Sequence, residues 1–157
     1  DTVIPSFAKA QEVLDKYPND AEQIKKLVPE RLNRINDEGI FKNTPFRVSY
    51  RVENELILYF GSLRMLYNES STEELVNKAF LTILLEKILP RVEGDEKAMN
   101  CGSDGNSKIL NNLHAYVEEF KPENYTEGDG SIYDILSHKL DEMNERVKNS
   151  YFTSFFS

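Results

Sequence analysis

Residues 46–89 read FRVSYRVENELILYFGSLRMLYNESSTEELVNKAFLTILLEKIL, two almost wholly apolar stretches around a short polar turn. In the first, Leu56, Ile57, Leu58, Tyr59, Phe60, Leu63, Met65 and Leu66 leave little polar face, the mark of a helix surrounded by others. In the second, Leu75, Val76, Ala79, Phe80, Leu81, Ile83, Leu84, Leu85, Ile88 and Leu89 do the same. Asn68-Glu69-Ser70-Ser71 separates them, and Ser71 followed by Glu74 reads as a capping box that opens the second helix. The pattern predicts a buried antiparallel helix hairpin, about 46–67 and 72–89, at the centre of an all-α single domain.

Working outward, the apolar period stays helical. Residues 5–16 predict a short helix with Pro5 in its first turn, stopped by Tyr17-Pro18-Asn19-Asp20, and Asp20 can cap the next. From Ala21 to Asp37, Ile24, Leu27, Val28, Leu32 and Ile35 form one stripe, which Pro29 should kink or split. Residues 90–107, polar and glycine-containing, predict a long mobile loop, followed by a helix from about Ser107 to Phe120. After a second loop, KPENYTEGDGS, the residues Ile132, Leu136, Leu140, Met143 and Val147 line one face of a last helix. No alternating strand pattern and no internal repeat stands out.

Composition removes several function classes. With 19 Lys and Arg against 27 Asp and Glu, the net charge of −8 repels nucleic acid and anionic membrane, so non-specific DNA binding is not expected. No apolar run approaches the ~20 residues of a membrane span. The single cysteine, Cys101, has no internal disulfide partner, and no signal-peptide pattern opens the chain, so a cytosolic setting is expected. The triplets at Asn68 and Asn124 resemble glycosylation acceptors, which mean nothing without secretion.

Chemical motifs are sparse. No G-x-x-x-x-G-K-[ST] is present, so this sequence by itself cannot cradle nucleotide phosphates in a P-loop. GSDGNS and TEGDGS lack the ligand order of a calcium loop and read as turns. His114 and His138 fall on different predicted helices with no second ligand at metal spacing, and Cys101 has no histidine near it. No metal site and no catalytic residue is therefore expected. The better lead is Arg47 and Arg51. On a helix beginning near Phe46 they share one face one turn apart, where two guanidinium groups could grip a phosphate. The ordinary alternative is an exposed Arg51–Glu55 bridge worth ~0.3–0.5 kcal/mol.

Three segments, in order, resemble the C-terminal part of McrB-like proteins, the nucleotide-hydrolysing AAA+ subunits of restriction systems that cut modified DNA. ERLNRINDEGIFKNTPFRVSYRVENELILYF is similar to a helix ending in a leucine-asparagine pair and then an arginine-bearing aromatic signature. AFLTILLEKILPRVEGDE resembles the family's lysine-isoleucine-leucine-proline-arginine segment, and KLDEMNERVKNSYFTSFF its closing helix and aromatic tail. Ser49 stands where glycine is usual, and Tyr50 where one variant has histidine.

The resemblance implies that residues 1–157 are the helical lid and C-terminal region of an AAA+ NTPase whose P-loop core this sequence does not contain. Such a lid closes over nucleotide, and Arg51 or Arg47 would be its sensor-2-like cation. It would catalyse nothing alone; the parent assembly would be a nucleoside triphosphatase using GTP or ATP with Mg. Its expected partners are the AAA+ core, neighbouring subunits of a ring and a nuclease subunit, with DNA met only through that assembly and no membrane. A free-standing helical adaptor that binds a protein partner is the alternative reading. The aromatic tail, Tyr151 to Phe156, is expected to be ordered, lying beside Met143 and Val147 or against a neighbouring subunit or the core.

Overall fold

The computed structural model describes residues 7–36 and 39–156, so Pro5 and the expected helix end at Asp37 lie outside it. Its α-helices are α1 (Ala10–Lys16), α2 (Pro18–Asn33), α3 (Tyr50–Leu66), α4 (Thr72–Ile83), α5 (Lys108–Glu118) and α6 (Ile132–Ser150). The expected all-α domain is present, with α3 and α4 forming its central hairpin. α2 and α6 pack on α4, α1 packs on α3, and α5 packs on α6. The hydrophobic core runs continuously from Val13 through Phe60 and Phe80 to Met143 and Val147. Gly61 permits the close approach of α1. A Cβ there would lie 2.8 Å from the Phe7 ring and from Val13.

Three serine caps form, the expected one at Ser71 and two more at Ser107 and Ser131, with hydroxyl oxygens accepting backbone N–H groups. Ser71 Oγ accepts from Glu74 N at 3.1 Å, Ser107 from Leu110 N at 3.1 Å and Ser131 from Asp134 N at 3.2 Å. Asp20 does not act as a cap. Pro18 opens α2 directly, and the Asp20 carboxylate turns to Arg64, which donates to it from Nε and NH2 at 3.0 and 2.7 Å. Thr72 Oγ1 donates to the same carboxylate at 2.5 Å, and Arg64 NH1 donates to the Tyr67 and Ser70 carbonyls at 3.1 and 2.6 Å. One arginine thus joins α2, α3, α4 and the turn between the last two. Pro29 does not split α2; the carbonyl it leaves without a helical donor belongs to Lys25, which is exposed.

The first helix of the hairpin begins at Tyr50, four residues later than the expected 46. Phe46 is buried edge-on against Phe41 with ring centroids 6.0 Å apart. The Asn36 side chain meanwhile bonds both backbone groups of Val48, accepting from its N–H at 3.3 Å and donating to its carbonyl at 3.2 Å. Those bonds occupy groups that a helix would use, and 46–49 stays outside the helix. The second helix is α-helical only to Ile83. A π turn (Leu84–Ile88) and a 3₁₀ turn (Leu89–Arg91) carry it on, with Leu89 N–H reaching back to the Leu84 carbonyl and Pro90 ending regular winding.

The loop after Arg91, expected to be mobile, is ordered. Met99 is fully buried, Ser107 Oγ donates to the Met99 carbonyl at 2.6 Å, and Cys101 bridges to Ser107. Two short strands absent from the sequence pattern, β1 (Gly94–Asp95) and β2 (Phe152–Thr153), pair antiparallel, Gly94 opposite Thr153. Tyr151, with φ 65°, turns the chain out of α6 into β2. The tail is ordered by backbone bonds and by its polar residues. Thr153 is buried, Arg146 donates to the Ser154 carbonyl at 2.7 Å, and Lys139 donates to that of Phe155 at 3.2 Å. Tyr151, Phe152 and Phe156 stay exposed, and only Phe155 leans on the core.

Candidate functional site

The two arginines singled out by the sequence are separated by the late start of α3. Arg47 lies in the irregular segment before the helix and Arg51 in the helix itself, so they are not one helical face. Buried Phe46 on one side and Asn36-pinned Val48 on the other hold the Arg47 backbone, and Arg47 itself is exposed. Arg51 is exposed and has no ion-pair partner among the described residues, Glu55 included; one Glu55 oxygen, Oε2, is buried without a hydrogen bond.

Arg47 borders two concavities. The first, ≈ 320 Å³, has an apolar floor that includes Phe41, Phe46, Val52 and Ile88, and cations Arg47, Lys87 and Arg91 at its edge. The second, ≈ 370 Å³, lies between the end of α2 and the start of α3 and includes Asn33, Asn36, Tyr50 and Glu53. Arg51 borders neither. The irregular end of the hairpin positions the other two cations. Its π and 3₁₀ turns direct Leu84, Ile88, Leu89 and Val92 inward while Lys87 and Arg91 remain exposed. Sequence reasoning missed Lys87 and Arg91 as site residues. They appeared there only as the ends of the lysine-isoleucine-leucine-proline-arginine segment, a lysine and an arginine four apart, a spacing that an exposed helix face also produces.

The remaining polar clusters hold the fold. Asp134 accepts hydrogen bonds from Gly128 N at 2.9 Å, Tyr125 Oη at 2.8 Å and Gly130 N at 3.2 Å, and so closes the TEGDGS loop. The Gly128 N–H first, then the Tyr125 hydroxyl, hold its carboxyl below the usual carboxylate range. The same carboxylate pushes Tyr125 up to about 12. Asp104 and Asp129 accept local N–H groups from Asn106 and Ser131 and are likewise held low, as turn residues are. His138 lies 3.6 Å from Asp134.

His114 Nε2 sits 3.1 Å from Ser137 Oγ and 3.3 Å from Asp141, with Glu118 3.7 Å from Nδ1. The order serine, histidine, carboxylate resembles a catalytic relay, but Ser137 lies mid-helix and neither it nor His114 borders a described concavity. The contacts link α5 to α6. Burial, with Glu96, Asp104 and Asp95 adding to it, raises the Cys101 thiol, which disfavours a nucleophilic thiolate. Among the described residues no helix is long and apolar enough to cross a membrane.

Residues 5–152 match the model of a family described as Domain of unknown function (DUF8727). No curated protein and no solved structure matches the chain.

Proposed function

We propose that this chain, which belongs to the DUF8727 family, is a cytoplasmic helical lid and C-terminal region of an McrB-like AAA+ NTPase, closing over nucleotide held by a P-loop core. Arg47 rather than Arg51 is then the cation that meets phosphate. The observation that supports this reading is the placement of Arg47: a guanidinium on a backbone held on both sides, facing a concavity and engaged by no carboxylate among the described residues. Such a donor needs little reorganisation to meet a phosphate oxygen, and loss of that oxygen on hydrolysis would release the lid. The core supplies GTP or ATP with Mg, ring neighbours and a nuclease subunit supply the remaining partners, and DNA is met only through the assembly.

The test is hydrolysis by the reconstituted parent ring. Arg47→Ala should lower turnover by ~10²–10³-fold, with Arg51→Ala closer to the parent rate and both folding normally. Parent rates in both variants would sink the lid reading, as would nucleotide turnover by this chain alone above that of a mock preparation.

One observation favours the adaptor alternative. Tyr151, Phe152 and Phe156 are 64%, 48% and 81% exposed at the end of α6, and Ile135 on the same helix is 47% exposed. An adaptor would bind its partner without nucleotide, lose affinity on Phe152→Ser and be indifferent to Arg47→Ala.

A further inference from the structure

The seven arginines of this acidic chain divide into two groups. Arg31, Arg34, Arg64 and Arg146 are each in an ion pair. Arg47, Arg51 and Arg91 have no partner among the described residues, and two of these three border one concavity together with Lys87, which is also unpaired. No carboxylate among the described residues lines that concavity, whereas the four other described concavities each include at least one: Glu53; Glu74 and Glu123; Asp95; Glu30.

The segments that bring these cations together are rigid for independent reasons: Val48 is bonded to Asn36, and Ile88 and Leu89 are buried. The apolar floor of Phe41, Phe46, Val52 and Ile88 lowers the local dielectric, which strengthens attraction for an anion that enters. At ≈ 320 Å³ the concavity sits at the lower end of small-molecule clefts.

We propose that Arg47, Lys87 and Arg91 form an oxyanion site in their own right, one that takes the diphosphate group of a small phosphorylated ligand. Two forked guanidinium groups and one ammonium offer more donors than a single phosphate can use, and a diphosphate spreads its charge over enough oxygens to meet all three. The site needs no P-loop and does not rest on the lid reading. A nucleotide and free pyrophosphate present the same chemistry to it.

Titration of the full chain with pyrophosphate at low ionic strength, followed by ¹H–¹⁵N NMR, tests the site. Shifts should concentrate at residues 46–52 and 87–92, and pyrophosphate should bind about ten-fold more tightly than orthophosphate. Arg47→Ala, Lys87→Ala and Arg91→Ala should each weaken binding by about five- to ten-fold. Arg51→Ala, an equally exposed arginine outside the concavity, should leave it unchanged. All four side chains are exposed, so the variants should keep the wild-type circular dichroism spectrum. A nucleoside diphosphate that outbinds pyrophosphate assigns a nucleotide, and equal binding assigns recognition of phosphates alone; both support the site. Absence of localised shifts at about 10 mM pyrophosphate overturns it, and so does equal weakening by Arg51→Ala and Arg91→Ala, which means diffuse surface charge. Pyrophosphate binding here beside a parent ring indifferent to both Arg47→Ala and Arg51→Ala would keep the site and discard the lid.

Discussion

In the last turn of α3, Arg64 is boxed in by Asp20 and by the carbonyls of the following turn; before the helix's N-terminus Arg47, with Lys87 and Arg91, borders a concavity with no carboxylate among the described residues. The side chains of Arg64 and Asp20 are only 10% and 11% exposed, and removing such charges from water is tolerable only when partners replace the lost hydration. An exposed cation faces no such demand, because water solvates it and its removal costs the fold little. The same residue type therefore holds helices together in one place and remains open to an external anion in the other.

The comparison breaks first at Arg64. Arg64→Ala should cost ~3–5 kcal/mol, since it leaves the buried Asp20 carboxylate with Thr72 as its remaining partner, and should lower Tm by about 10 °C. Asp20→Ala should be similarly damaging, and the double variant less damaging than the sum of the two. Urea denaturation checks all three; a loss under ~1 kcal/mol for Arg64→Ala would erase the distinction between the two arginine settings.

The tail offers a middle case of polar burial. Deleting residues 151–157 removes the β1–β2 pairing and one acceptor each of Arg146 and Lys139, and should destabilise by about 2 kcal/mol after the entropy of ordering a terminus is discounted. Thr153 Oγ1, by contrast, is buried with no hydrogen-bond partner, so Thr153→Val should stabilise by ~1 kcal/mol. A higher urea midpoint for Thr153→Val together with a lower one for the deletion would establish that the strand, not the hydroxyl, holds the tail.

A third case is the Asp134 loop closure, where the partners are neutral. Asp134 titrates below its ordinary value in the fold, so its contribution is present above the unfolded value of about 4 and lost as pH falls through the depressed folded value. Tyr125 is raised to about 12, so its contribution is complete below the unfolded value near 10 and lost as pH rises through about 12. Asp134→Asn should therefore lower the denaturation midpoint by a constant amount at mid pH. The gap should close in acid, and a gap unchanged to about pH 2 would contradict the sign.

The smallest effects on stability belong to the concavity. Arg47→Ala and Arg91→Ala should each stay within ~0.5 kcal/mol of wild type by urea denaturation. A larger loss would mean that these arginines serve the fold, as Arg64 does.

Much of the helical framework was legible because its determinants are local. The faces of α3, α4 and α6 follow from 3.6-residue spacing, and Ser71 caps α4 through a group three residues away. The site was half legible. Arg47 stood out beside an apolar helix, but its separation from Arg51 depends on Asn36 claiming the Val48 backbone from twelve residues upstream. Lys87 and Arg91 join it only because a π turn and Pro90 reshape a helix end that reads as regular.

By itself the sequence determined the helical class, the central hairpin, the buried faces, the Ser71 cap and an acidic surface with few chemical motifs, since each depends on residues within a turn or two of one another. Only the tertiary structure decided that Asp20 meets Arg64 rather than capping α2, that Met99 anchors the loop after Arg91, that the tail becomes a strand and that three cations share one concavity. These outcomes depend on groups distant in sequence. Desolvation and hydrogen-bond satisfaction become decisive only when packing removes the water that would otherwise serve every polar group equally well.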